Sequence, residues 1–283
     1  MIQKSILLDD ATYQLIRGDK AFFEDTYHFH DEIEIVGIVS GRGELSIGDQ
    51  QHEFNSGEVY AIGNQLPHQW KWDESYEEEP EIYVLNVRSN LLGHEFLNRK
   101  EVQKLRLLIS KSYRGLKVDQ EAADKAIPLL QKLENADNIE GISTLLWLLK
   151  YVGCCKGYDQ LVGHTYTIMR DSKEIEMDDK ISMILKYIKD NIQAELSTKS
   201  AAVYFSMSEI SFSRYFKSKT NMSFIQFVNE FRISQAIKLM YETDLNIKQI
   251  AYEVGYNNIE YFNKRFKSSR NITPTEYKDK FQR

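Results

Sequence analysis

The 283 residues, 42% hydrophobic and 12% aromatic, suffice for two cores and exclude an intrinsically disordered chain. Cys154 and Cys155 are adjacent and the only cysteines, which excludes a disulfide framework. No apolar run approaches the roughly 20 residues that cross a bilayer, and Met1-Ile2-Gln3-Lys4-Ser5 lacks a signal-peptide core, so a cytoplasmic protein with reduced thiols is expected.

The net charge of −6 conceals an asymmetry, because residues 180–283 hold 17 Lys and Arg against 10 Asp and Glu. The back of the chain suits phosphates and the acidic front does not.

In chain order, short segments rich in Val, Ile, Phe and Tyr come first. Residues 33–39, 44–47, 51–54, 58–62 and 82–87 read as strands, separated by turns at Ser40-Gly41-Arg42-Gly43, Gly48-Asp49 and Ser56-Gly57. This is the rhythm of an all-β barrel or sandwich. Residues 74–81 form an acidic, solvated loop.

Within these strands His28, His30 and Glu34 recur at even spacing, and alternate residues of a strand share a face. His68, after Pro67, can join them from another strand. The His28-x-His30-x3-Glu34 motif, with Gly41 and the later Gly57 and Pro67-His68, resembles the paired motifs of the cupin superfamily, a small double-sheet jelly roll. In metal-binding cupins the four matching positions ligate iron, manganese, nickel or zinc.

The second motif departs from the pattern, since Gly63-Asn64-Gln65-Leu66-Pro67-His68 lacks the Pro-x-Gly step of catalytic members. The same polar residues also suit an effector pocket, and that is the preferred reading: His28, His30, Glu34 and His68 line it, with Tyr60, Trp70, Trp72 and Tyr83 as aromatic walls. No cofactor is expected, and the four polar residues are the candidates if a metal is held.

After residue 88 the periodicity becomes helical. Helices are expected over 101–110, 119–134 with Pro128 bending or breaking it, and 139–152. The last carries an apolar stripe of Ile142, Leu145, Leu146, Trp147, Leu149 and Val152, which is either core or a contact between subunits. Residues 154–179 have no clean period and read as a linker.

From residue 180 one pattern is written twice. Tyr215-Phe216-Lys217-Ser218 returns as Arg265-Phe266-Lys267-Ser268, and residues 221–227 lie over 271–277. Each copy is a short helix, a turn and a longer helix, the layout of a helix-turn-helix, at about 197–220 and 246–269. A long helix over 224–241 joins them. Capping boxes are expected at Ser223/Gln226, Asn246/Gln249, Asn257/Glu260 and Thr273/Glu276.

The run Gln249-Ile250-Ala251-Tyr252-Glu253-Val254-Gly255-Tyr256, followed by Tyr261-Phe262, Phe266-Lys267, Pro274 and Tyr277, resembles the C-terminal signature of AraC/XylS-type transcription regulators. A cupin-like front half is the usual companion of that signature. The resemblance implies two domains: a cupin-like sensing domain over 1–153 (barrel about 10–88, dimerisation helices about 96–153), and an all-α DNA-binding domain over 180–283. It also implies a non-enzymatic regulator whose partners are double-stranded DNA, a small-molecule effector such as a carbohydrate, a second copy of the chain and RNA polymerase. Ser206 departs from the pattern where glycine is common, which matters if that turn needs a positive φ.

If the phenylalanines of the longer helices are buried, Ile210, Ser213 and Arg214 face outward in one unit and Ile259, Glu260, Asn263 and Lys264 in the other. The family's base-reading positions fall on these residues. Arg suits guanine, Asn adenine, Glu cytosine and Ile the thymine methyl. Lys199, Lys217, Lys219, Arg232, Lys267 and Arg270 are the expected phosphate contacts. The rival reading is a metal-dependent cupin enzyme fused to a helical module that binds nucleic acid or protein.

Overall fold

The computed structural model describes residues 2–3, 12–24, 26–88, 91, 93–171 and 179–279. The chain forms two compact units, Met1–Val162 and Gly163–Arg283.

The first unit holds strands β1 (Ile2–Gln3), β2 (Tyr13–Gly18), β3 (His28–Phe29), β4 (Ile33–Ser40), β5 (Arg42–Ile47), β6 (Gln50–Asn55), β7 (Val59–Ile62), β8 (His68–Trp72), β9 (Glu81–Val87), β10 (Leu116–Val118) and β11 (Tyr158–Gln160). They form two sheets, ordered β1-β3-β8-β5-β6 and β11-β10-β7-β4-β9-β2. All described pairs are antiparallel except β1 with β3. The β5–β6 hairpin closes through Gly48-Asp49, with Gly48 at φ 55 in the first central position, as a tight two-residue loop requires.

The nearly unbroken apolar run of β4 has a physical reason. One face points toward the other sheet and the other is covered by helices, so both must be apolar. Val36 and Ile38 lie in register with Val84 and Ile82 on the inner face, while Ile35 joins the outer core with Leu85.

Helices α1 (Gly93–Leu97), α2 (Gln103–Ser112), α3 (Gln120–Leu133) and α4 (Asn138–Gly153) follow. Leu130 and Leu133 of α3 and Leu145, Leu148, Leu149 and Val152 of α4 pack with Ile35, Val59 and Leu85. Each such buried side chain is worth about 1.5–3 kcal/mol. Gly37 permits the close approach, since a Cβ there would lie 2.6 Å from Leu130 Cδ1. α3 runs through Pro128 without a break, started by Asp119, whose side chain accepts from the Ala122 N–H.

Residues 154–179, expected to be a linker, carry two elements. β11 extends the outer sheet, and α5 (His164–Asp171) opens the second unit, burying Ile168 in its core; residues 172–178 lie outside those described.

The second unit continues with α6 (Asp179–Asp190), α7 (Thr198–Tyr204), α8 (Glu209–Thr220), α9 (Phe224–Glu242), α10 (Ile247–Glu253), α11 (Ile259–Arg270) and α12 (Pro274–Asp279). α9 is buried around most of its girth because it serves two cores. Phe224, Phe227, Val228 and Phe231 enter the core of α6, α7 and α8, and Ile233, Ala236, Ile237 and Met240 enter that of α10, α11 and α12.

Of the expected capping boxes, Ser223/Gln226 and Asn246/Gln249 form, and Thr273 and Glu276 exchange the same reciprocal bonds. The one expected at Asn257 does not. Asn258 caps α11 instead, accepting from the Glu260 and Tyr261 N–H groups. The cause is a turn one residue longer than in the first unit: Gly255-Tyr256-Asn257 precede this cap, whereas Ser206-Met207 precede the cap Ser208 of α8.

Candidate functional site

The two long helices of the repeat present matching faces. Phe212 and Phe216 of α8, and Phe262 and Phe266 of α11, are fully buried. Helical geometry then turns Ile210, Ser213 and Arg214 outward on α8, and Glu260, Asn263 and Lys264 outward on α11, and all six are exposed. Ile210 is 74% exposed, which is high for an apolar side chain with nothing covering it. Ile259 differs from the expectation: it is half-buried and packs on the second core, so it is less available than the others. Both helices end in left-handed asparagines, Asn221 at φ 55 and Asn271 at φ 62, so the repeat extends to its caps.

Among the expected phosphate contacts, Lys199, Lys217, Lys219 and Lys267 are exposed. Arg232 and Arg270 are not surface cations. Arg232 donates to the Ile192 carbonyl from Nε (3.1 Å) and Nη2 (2.8 Å) and to the Ala194 carbonyl (2.7 Å), and it lies over the Tyr256 ring. It ties the chain after α6 to α9. Arg270 has a 5% exposed side chain and pairs with Glu230 Oε2 at 3.2 Å. In both cases neighbours distant in sequence claim the guanidinium.

In the first unit, β3 and β8 place His28 and His68 in direct register, His30 follows just after β3, and Glu34 lies near the start of β4. All four side chains are at most 4% exposed. The three rings gather with centroids 4.6–5.9 Å apart. Each Nδ1 faces a backbone carbonyl: His28 that of Thr26 at 2.8 Å, His30 that of Glu32 at 3.1 Å, His68 that of Leu66 at 2.9 Å.

His30 Nε2 lies 3.3 Å from Glu34 Oε2, and His68 Nε2 lies 3.4 Å from Oε1, neither with the directional geometry of a hydrogen bond. Burial alone would raise the Glu34 carboxyl, yet His68 and His30 hold it well below the ordinary carboxylate range. Burial would likewise lower His30, but Glu34 and Glu32 outweigh it and its pKa rises.

The aromatic walls divide. Trp70 donates from Nε1 to Glu34 Oε1 (3.4 Å) and meets Tyr60 edge-on, so both belong to the inner face. Tyr83 does not: it lies in register with Gly37 on the helix-facing side and donates to Glu134 Oε2 at 3.1 Å. Period-two alternation in β9 puts it on the face opposite Val84.

Trp72 lines a separate open cleft of about 540 Å³ with Phe54, Arg42, Glu53, Asn55 and Lys71. Sequence reasoning did not single out the other five. For Arg42, Glu53 and Lys71 the signal was weak, because charges on a strand look like an ordinary solvated face.

Residues 201–280 match the family model of a helix-turn-helix domain. Over 252 residues the chain is 23% identical to the uncharacterized HTH-type transcriptional regulator YdeC of Bacillus subtilis, covering 89% of this chain and 85% of that one. It is 25% identical over 254 residues to the HTH-type transcriptional activator RhaS of Mannheimia succiniciproducens, covering 88% and 87%. The C-terminal part of the chain thus carries a helix-turn-helix domain of the AraC type, and most of its length is similar to HTH-type transcriptional regulators. A solved structure of apo ToxT from Vibrio cholerae aligns over 95% of this chain and 98% of its own, at 19% identity and a TM-score of 0.41. In this chain the N-terminal unit is mostly antiparallel sheet and the C-terminal unit carries the paired helix-turn-helix elements. No helix among the described residues is long and apolar enough to cross a membrane.

Proposed function

We propose that this regulator reads an asymmetric DNA site with two different helix faces while its β-unit senses a small molecule. The observation that carries the reading is that buried phenylalanines are shared between α8 and α11 while the outward residues differ: Ile210, Ser213 and Arg214 on one, Glu260, Asn263 and Lys264 on the other. Two units bridged by one helix suit successive major grooves about 34 Å apart. Lys199, Lys217, Lys219 and Lys267 position the protein on phosphates, and Arg214 and Asn263 discriminate bases.

The effector enters the 540 Å³ cleft, a volume ordinary for a small-molecule site. Trp72 borders the cleft, while Arg42, Glu53, Asn55 and Lys71 suit a hydroxylated or charged ligand. Carbohydrates fall in that class. A second copy of the chain pairs through the outer side of α2 and α4, where Leu107, Leu146 and Trp147 are exposed.

The test is selection of DNA sites from a random pool by wild-type, Arg214→Ala and Asn263→Ala proteins. Each variant is expected to relax preference at its own base pair, at about 1–3 kcal/mol apiece. If both keep the wild-type preference, these faces do not read DNA.

A further inference from the structure

We propose that Cys154 and Cys155 form a binding site for one soft monovalent cation of the copper(I) class, held between the two sulfurs in a small cleft at the end of α4. The proposal rests neither on the DNA-reading faces nor on the histidines, and the cleft beside Trp72 is separate from it.

Two free, half-buried thiols line this cleft of about 170 Å³. The backbone that carries them is held on both sides. The Cys154 N–H donates to the Lys150 carbonyl at 2.9 Å, closing α4. Gly157 exchanges two bonds with Asp119, accepting from its N–H at 3.0 Å and donating to Oδ2 at 2.7 Å. The thiols therefore sit on a fixed turn.

Adjacent thiols are poorly placed to join each other. The peptide between them is trans, which sets consecutive Cα atoms about 3.8 Å apart, whereas disulfides span roughly 4.4–6.8 Å. A bridging ion relaxes that demand, because two metal–sulfur bonds of about 2.3 Å reach further than one S–S bond of about 2.05 Å.

The donor count then selects the ion. Structural zinc takes four ligands. Among the described residues, the only group of three or more histidine, cysteine or carboxylate ligands gathered together is His28, His30 and His68, so no third donor of these kinds joins the thiols. Asp119 lines the cleft, but its Oδ1 accepts from the Ala122 N–H and its Oδ2 from the Gly157 N–H. Two thiolates alone satisfy a soft ion such as copper(I), for which sulfur is the preferred donor.

Charge points the same way. Lys125, Lys150 and Lys156 line the cleft against Asp119 and Glu121, a surplus of one positive charge. Lys125 and Lys156 share the single carboxylate of Glu121, at 2.8 and 2.9 Å, so their charges are only half offset there. Two thiolates holding a monovalent cation carry one negative charge and complete the balance. A divalent ion would not.

The experiment uses the full chain, reduced and kept free of oxygen, with copper(I) delivered from a chromophoric chelator whose colour reports what the protein withdraws. The wild-type chain is expected to withdraw a single equivalent. Cys154→Ser and Cys155→Ser should each weaken uptake by more than the roughly 10–100-fold that loss of an outer-shell partner produces. Serine keeps the shape of a half-buried cysteine, so both variants are expected to keep the wild-type urea midpoint.

X-ray absorption of the copper-loaded wild-type chain needs no substitution and provides a second readout. A two-sulfur shell without imidazole scattering supports the site. Imidazole in the shell would place the ion at the histidines and overturn the proposal, as would uptake unchanged in both serine variants or no uptake by the wild-type chain.

Discussion

At Ser206 and Gly255 the two copies of one turn answer the same backbone demand with different residues. Both are left-handed, at φ 54 and φ 88. A side chain in that region costs roughly 1–2 kcal/mol, against about 0.5–1 kcal/mol for the extra unfolded-state freedom of glycine. Ser206→Gly is therefore expected to stabilise the protein by up to about 1 kcal/mol, read as a higher urea midpoint at unchanged slope. Gly255→Ala should destabilise by more than that gain, because a Cβ there would lie 2.2 Å from the Ile192 carbonyl oxygen as well as being strained. Equal effects of opposite sign would mean that only φ matters and the close approach relaxes freely. The strain at Ser206 was legible in the sequence once the repeat was aligned. The clash at Gly255 was not, since Ile192 belongs to the chain just after α6.

Arg232 joins two elements. Its bonds to Ile192 and Ala194 hold the end of α6 against α9, and its ring contact with Tyr256 reaches the second turn. Hydrogen bonds from a charged group are worth about 1.5–3 kcal/mol, so Arg232→Ala should lower stability by that order and leave the salt dependence of DNA binding unchanged. Lys217→Ala should do the reverse, keeping the unfolding midpoint while lowering the slope of log K against log salt by about 1. Binding titrations over a salt series, beside urea unfolding, separate the two roles. If Arg232→Ala lowered the slope and spared stability, the internal assignment would fail.

The elements themselves were largely readable, because the periodicity of α4, α8 and α11 and the capping residues of α9 and α10 are local signals. β3, β8, β10 and β11 were not, being short strands defined by their partners rather than by their own pattern.

For the whole molecule, the opposite charges of the two halves and the exposed apolar residues of the β-unit matter most. Trp147 is 50% exposed, stacks on Tyr151 and carries Lys150 over its ring, while Leu145, Leu148 and Leu149 turn into the core. The apolar stripe of α4 is thus divided between core and surface. Trp147→Asp is expected to shift the full chain from dimer to monomer in sedimentation velocity with the unfolding midpoint kept. A dimer that survives the substitution would move the contact elsewhere.

The sequence by itself determined the repeated helix-turn-helix layout, the buried phenylalanines, the outward Arg214 and Asn263, and a strand-rich front carrying His28, His30, Glu34 and His68. These follow from periodicity and capping, which act within a few residues. Only the tertiary structure decided that Arg232 and Arg270 are internal, that Tyr83 faces the helices, and that His30 and His68 present their Nε2 atoms to one carboxylate. Each of those outcomes depends on which distant atom occupies the space beside a side chain. Local pattern cannot encode that, because the neighbour is supplied by another strand or helix.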